Sequence, residues 1–186
     1  KIPNHKNRYM ATASAKYEFA DWINVTARAK MDRNNERRER MYDAGTNTLF
    51  ASKYGYYSKS NIENQQIYGE LLLNINKYFV DNTLNVTANV GGNFENNDYQ
   101  SDYFGGKLKS VANLFTFGNV DTSEKNLANQ YGYHLKKRAI FGSAQIGYKS
   151  MAYLDVTARN DWSSTFKGTN TGSFFYPSIG LSGIIT

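Results

Sequence analysis

The chain has 186 residues and a net charge of +6, from 22 lysines and arginines against 16 aspartates and glutamates, and it contains no cysteine. Disulfide scaffolds, thiolate metal sites and cysteine nucleophiles are therefore excluded, and no run approaches the roughly 18 consecutive apolar residues of a membrane helix. Aromatic residues make up 15% of the chain and prolines number only two, a balance that suits long, uninterrupted strands. The charge excess fits a solvated surface, with nucleic acid or anionic lipid headgroups as the other readings.

Side chains alternate faces along a strand, so apolar residues at every second position mark a sheet with one dry face. The first such strand is predicted over residues 9–19, where Tyr9, Ala11, Ala13, Ala15, Tyr17 and Phe19 share one face and Met10, Thr12, Ser14, Lys16 and Glu18 the other. After the short turn Ala20-Asp21, residues 22–32 set Ile23, Val25, Ala27, Ala29 and Met31 against Asn24, Thr26, Arg28, Lys30 and Asp32. A long polar loop is predicted over 33–65; its basic run is broken by Glu36 and Glu39, which makes it a poor nucleic-acid arm. The third strand, 66–79, alternates except at Leu72 and Lys77, and turns at Val80-Asp81-Asn82. The fourth, 83–94, is the cleanest, with Leu84, Val86, Ala88, Val90, Gly92 and Phe94 on one side. A second long connection, 95–133, holds Leu114-Phe115-Thr116-Phe117, suited to packing on its own base or on a partner. The fifth strand, 135–148, turns at Lys149-Ser150-Met151 into the sixth, 153–162. A loop at 163–172 then leads to the seventh strand, 174–186.

Three regularities point to a membrane barrel. Short and long connections alternate, as periplasmic turns and external loops do. The strands approach or exceed the roughly 9–11 residues of a tilted membrane strand. Aromatic residues of the apolar face sit at strand ends: Tyr17, Phe19, Phe79 and Tyr148 beside short turns, Tyr9, Phe94 and Phe175 beside long loops. That is the distribution of two interfacial girdles, whereas a soluble sandwich buries its rings in mid-strand. The expected fold is all-β, an antiparallel transmembrane β-barrel segment with its apolar face in lipid and its polar face lining a wet lumen. Residues 1–8 lack the apolar core of a signal peptide. The last residues stop inside an alternating strand, so the expectation is a partial barrel domain of a larger chain.

Ala144-Gln145-Ile146-Gly147-Tyr148-Lys149, then Tyr153-Leu154-Asp155-Val156-Thr157-Ala158-Arg159-Asn160-Asp161-Trp162-Ser163-Ser164-Thr165, then Ser173-Phe174-Phe175-Tyr176-Pro177-Ser178 resemble the SusC/RagA-type TonB-dependent transporters. The resemblance implies seven strands of a barrel of roughly 22 with a plugged lumen; the plug domain and the TonB box are not in this sequence. It also implies a Gram-negative outer-membrane location, a SusD-like surface lipoprotein closing over the external mouth, and coupling to TonB. The cargo would be oligosaccharides or peptides too large for porins.

The residues themselves offer no catalytic constellation, cofactor site or metal site, and an enzyme is not expected. His5 and His134 have no metal-pair spacing. Asp155 and Arg159 share a face and could pair with each other, hold a plug or touch cargo. Arg159, Asp161 and Trp162 form a candidate substrate platform, since aromatic faces stack on sugars while carboxylate and guanidinium bind hydroxyls; Trp162 as a strand-end anchor is the plainer alternative. Tyr54, Tyr56 and Tyr57 are candidates for contact with the lipoprotein lid or for packing within the loop. Two other functions compete with import: a soluble β-sandwich carbohydrate-binding module and, more weakly, a small nucleic-acid-binding barrel.

Overall fold

The computed structural model describes residues 1–125, 127–168 and 172–184. Seven strands form one sheet in which each pairs with the next: β1 (Asn4–Ala20), β2 (Ile23–Tyr42), β3 (Tyr56–Phe79), β4 (Leu84–Lys107), β5 (Ala128–Tyr148), β6 (Ala152–Ser163) and β7 (Phe174–Gly183). Among the described residues there is no α-helix, only 3₁₀ turns at Phe117–Asn119 and Ser164–Phe166. The antiparallel register keeps parity across strands. Ile146, Leu154 and Leu181 lie side by side, as do Ala144, Val156 and Ile179, while Gln145, Asp155 and Gly180 share the other face.

The predicted strands are present, but five of them run further than the alternation shows. β1 begins at Asn4, β2 continues to Tyr42, β3 begins at Tyr56, β4 continues to Lys107 and β5 begins at Ala128. The two long loops therefore shrink to 43–55 and 108–127. A ladder needs only backbone groups, whereas the period-two signal needs one face hidden from water. Where both faces are polar the signal vanishes and the strand does not. On the parity that is apolar further along, the ion pair Arg33–Glu63 then stands where an apolar pair would be, while Arg8–Asp32 (2.6 Å) continues the polar face. Thr169 to Thr171 of the last predicted loop, and Ile185 and Thr186 of the last predicted strand, lie outside the described residues.

The chain divides into two compact units. The first comprises Lys1–Met10, Asp32–Gln65 and Asp98–His134. Its core is Tyr57, Leu108 and Val120, the last fully inaccessible, with Met41, Tyr54, Phe104, Phe115 and Leu127 packed around them. Buried Asn119 braces the second connection. Its amide donates to the carbonyls of Val111 (2.7 Å) and Leu114 (2.9 Å), and its oxygen accepts from the Ser110 hydroxyl (2.9 Å) and the Val111 amide (3.1 Å). Gly55 closes the first connection at φ +112°, where a Cβ would lie 2.6 Å from the Tyr42 carbonyl oxygen.

The second unit comprises Ala11–Met31, Gln66–Asn97 and Leu135–Thr186. It holds all three tight turns. Lys149 and Ser150, both at positive φ, make a two-residue hairpin closed by the Met151 amide on the Tyr148 carbonyl (2.9 Å). Ala139 is its one buried apolar residue among those described. Leu71, Val90, Ile140, Val156, Ile179 and Leu181, all of the apolar parity, are exposed. The two pattern-breaking residues of β3 have local partners. Leu72 lies with Phe141 against Gly91, on the polar face, where a Cβ would come within 3.0 Å of both side chains. Lys77 places its ammonium over the Trp22 ring (4.3 Å) and near Phe79 (5.3 Å), a cation resting on aromatic faces.

Candidate functional site

On the polar face of the second unit, β6 projects Asp155, Thr157, Arg159 and Asp161. Consecutive side chains on one strand face lie only about 7 Å apart, and those four residues apart about 13 Å. Arg159 therefore reaches Asp161, its Nε donating to both carboxylate oxygens (2.9 and 3.0 Å), and not Asp155. Asp155 instead accepts from the Gln145 amide across the ladder (2.7 Å), so of the roles open to Asp155 and Arg159 a pair with each other is not the one formed. The guanidinium also stands over the Phe141 ring at 5.4 Å, and Tyr176 is its cross-strand neighbour on β7. The same unit carries a second cluster. Arg28 donates to Glu70 (3.0 Å), and the Tyr68 hydroxyl donates to the other Glu70 oxygen (2.7 Å). Pairing between residues two apart on one strand recurs in Lys16–Glu18, Glu36–Arg38 and Arg37–Glu39.

Trp162 does not join Arg159 and Asp161. It is the neighbour of Asp161 in sequence, so its indole leaves the strand on the opposite face, beside Arg138 of β5. The three candidate residues thus resolve into an ion pair on the polar face and a ring on the apolar one.

The first unit holds the other candidates. Tyr57 is buried in the core, Tyr54 packs against it, and Phe115 and Phe117 approach the Tyr57 ring at 6.4 and 5.3 Å. These rings pack the two connections together from within. Tyr56 lies at the start of β3, with its hydroxyl 2.6 Å from that of Tyr103. Burial, then the hydrogen bond with Tyr56, pushes the Tyr103 phenol up to about 12. Hydrogen bonds from Arg38 and Asn4 hold the buried Glu36 carboxyl below the usual carboxylate range.

Sequence reasoning missed a tyrosine cluster in this unit. Tyr99 and Tyr133 stack at 5.2 Å with planes 12° apart, and Tyr131 meets both edge-on at 6.1 and 6.3 Å. Tyr131 and Tyr133 are exposed, giving a flat phenolic surface able to stack on apolar ligand faces and hydrogen-bond their polar edges. The spacing Tyr131-Gly132-Tyr133 was the available signal, legible only once residues 128–134 are read as strand. His134 pairs with Asp98, and no cluster of metal-ligating side chains occurs among the described residues.

No family model matches the sequence, and no curated protein matches it. A solved structure of the RagAB peptide transporter does match in fold, with a TM-score of 0.80 at 18% identity over 97% of this chain. The chain spans 20% of that neighbour's length.

Proposed function

We propose that this chain is part of the wall of an outer-membrane β-barrel that imports large nutrients, oligosaccharides or peptides, and that belongs with the SusC-type TonB-dependent transporters. The observation that carries this reading is the exposed apolar parity of the second unit. Leu71, Val90, Ile140, Val156, Ile179 and Leu181 share one face of the ladder and find no core to enter. Lipid is the solvent such a face fits. A soluble sandwich would need a second sheet packed about 10 Å away; the described strands form one sheet. The RagAB structure is a peptide transporter, and the fold likeness supports transport as the activity and peptides as one cargo class.

In this reading the face bearing Arg28, Glu70, Arg159 and Asp161 lines the lumen. The Tyr99–Tyr131–Tyr133 surface, on the unit that holds both long connections, is the wall on which cargo is first retained. Trp162 anchors the strand end in the outer interface. A SusD-like lipoprotein closes the mouth, and TonB acts through parts of a longer chain. Since Tyr54 and Tyr57 are used internally, the lid would engage exposed Leu49 and Phe50, the latter edge-on to the Tyr42 ring.

Uptake of labelled oligosaccharide and peptide libraries by cells making the intact protein tests the proposal. Uptake is expected to stop when the proton-motive force is dissipated, and to weaken in a Tyr131→Ala/Tyr133→Ala variant that still reaches the membrane. Uptake indifferent to both treatments overturns it. Co-purification of a lipoprotein that survives Leu49→Asp/Phe50→Asp removes those two residues from the lid contact.

A further inference from the structure

The apolar face of the second unit is not smooth. A groove of about 1090 Å³ is cut into it, lined by Gly69, Leu71, Gly92, Phe94, Ile140 and Trp162, with the polar residues Arg28, Glu70, Asn93 and Asn96 also contributing to its wall. Glycine makes the groove. The Phe94 ring lies over Gly69 where a Cβ would stand 2.3 Å from its edge, and a Cβ on Gly92 would come 3.2 Å from the Ala139 carbonyl oxygen. Arg138 also lines the groove, as the cross-strand neighbour of Trp162. Two residues along β5 in one direction the same face carries Ile140; two residues in the other it carries Lys136. Apolar, cationic and cationic side chains thus succeed one another in steps of about 7 Å.

The charges here are uncommitted. Lys137, on the opposite parity, pairs with Glu95 at 3.7 Å. Arg138 and Lys136 are exposed, and neither side chain has an ion pair or hydrogen bond among the described residues; the one bond at Lys136 is from its backbone amide to the Ser164 hydroxyl. An unpaired guanidinium beside an apolar trough is an unusual thing to set toward hydrocarbon, where an arginine at the mid-plane is strongly disfavoured and one at the interface far less so. Its position beside Phe94 and Trp162, at the level of the outer aromatic girdle, is where headgroup phosphates lie.

We propose that this groove is a binding site for a phosphorylated outer-leaflet lipid, with an acyl chain in the trough between Leu71, Phe94 and Ile140 and a phosphate held by Arg138 and Lys136. The arginine supplies a planar fork of donors for phosphate oxygens and the lysine a second point charge. The occupant is a lipid and not free phosphate, because the cations border a groove whose exposed surface is mostly apolar and gives an acyl chain a place to lie. The proposal rests on the lipid-facing assignment made above.

The test uses the intact protein in phosphatidylcholine nanodiscs, titrated with bis-phosphorylated lipid A and read by native mass spectrometry. Lys136→Gln/Arg138→Gln is expected to weaken retention about tenfold, the loss of one charge-assisted contact or more. Arg138→Lys restores part of it, and Lys149→Gln, an exposed cation in a short turn, leaves it unchanged. Dephosphorylated lipid A should bind the native protein no better than the double variant does. Equal retention by native protein and double variant overturns the site. So does displacement by inorganic phosphate at equal concentration, and so does cross-linking from position 140 to a second protein chain in place of lipid. Heat-modifiable gel mobility and depth-dependent quenching at position 88 read the membrane facing separately. Their failure would sink the barrel proposal, whereas a facing that holds with no lipid retained would sink this site alone.

Discussion

The two units solve the same problem in opposite ways. In the first, apolar side chains scattered through 41–57 and 104–127 converge on Tyr57, Leu108 and Val120, and no alternation marks the strands around them. In the second, apolar side chains follow strict alternation and remain exposed, and Ala139 is the one buried apolar residue among those described. A hydrophobic core organised by loops leaves no periodic trace, while a one-sided apolar ladder leaves a clear one. Alternation in this chain therefore reports which face of the sheet is apolar, and not where strands are.

That contrast can be broken most forcefully in the first unit. Leu108→Ala should cost roughly 2–5 kcal/mol of local stability. Hydrogen exchange should then rise in 43–55 and 108–127 and stay unchanged in the tight turns; a uniform rise would mean that the core serves the whole sheet. Next comes the parity of the second unit. Ala88→Arg should destabilise the intact barrel by roughly 2–4 kcal/mol in a folding titration in lipid. Asn89→Arg, which gives up a 3.3 Å bond to Ser143, should cost much less. Equal costs would remove the facing assigned to both residues.

Smaller effects sharpen the picture. Lys149→Asn with Ser150→Gly should stabilise the β5–β6 hairpin by roughly 1 kcal/mol, because both residues hold a left-handed backbone that Asn and Gly adopt more readily. No change in the unfolding midpoint would show that the turn is relaxed as it stands. The smallest effect lies in the Tyr56–Tyr103 pair. The Tyr103 phenol is raised from 10.0 to about 12, so the folded state keeps its proton where the unfolded chain loses it. Its contribution to stability is complete below about pH 10 and is lost as pH rises through about 12. Tyr56→Phe should lower that value only part of the way, since burial is the larger cause. An unmoved tyrosinate absorbance curve would mean that the hydroxyl contact contributes nothing.

The sheet order, the parity and the three short turns are legible in the sequence because each rests on local chemistry: alternation of side chains, and residues that permit a tight reversal. The outer halves of β2 to β5 are not, since segments such as Arg33-Asn34-Asn35-Glu36 offer polar groups to both sides and read as loop. At the candidate site, the nearness of Arg159 and Asp161 follows from their spacing, and the separation of Trp162 follows from the same rule applied one residue further. The stacking of Tyr99 on Tyr133 could not be read at all. It depends on the pairing of β4 with β5 across a connection whose length in the sequence says nothing of its register.

The carboxylates and bases set two residues apart have an effect on how such a wall is assembled. Lys16 with Glu18, Glu36 with Arg38, Arg37 with Glu39 and Arg159 with Asp161 each cancel within a single strand. A ribbon bearing these pairs reaches its neighbour already neutral at those positions, and needs no particular partner to quench a bare ion. Addition of strands to a growing edge can then proceed one at a time, with backbone pairing, ring placement and the ions that do pair across strands, such as Arg28 with Glu70 and Arg33 with Glu63, choosing the register.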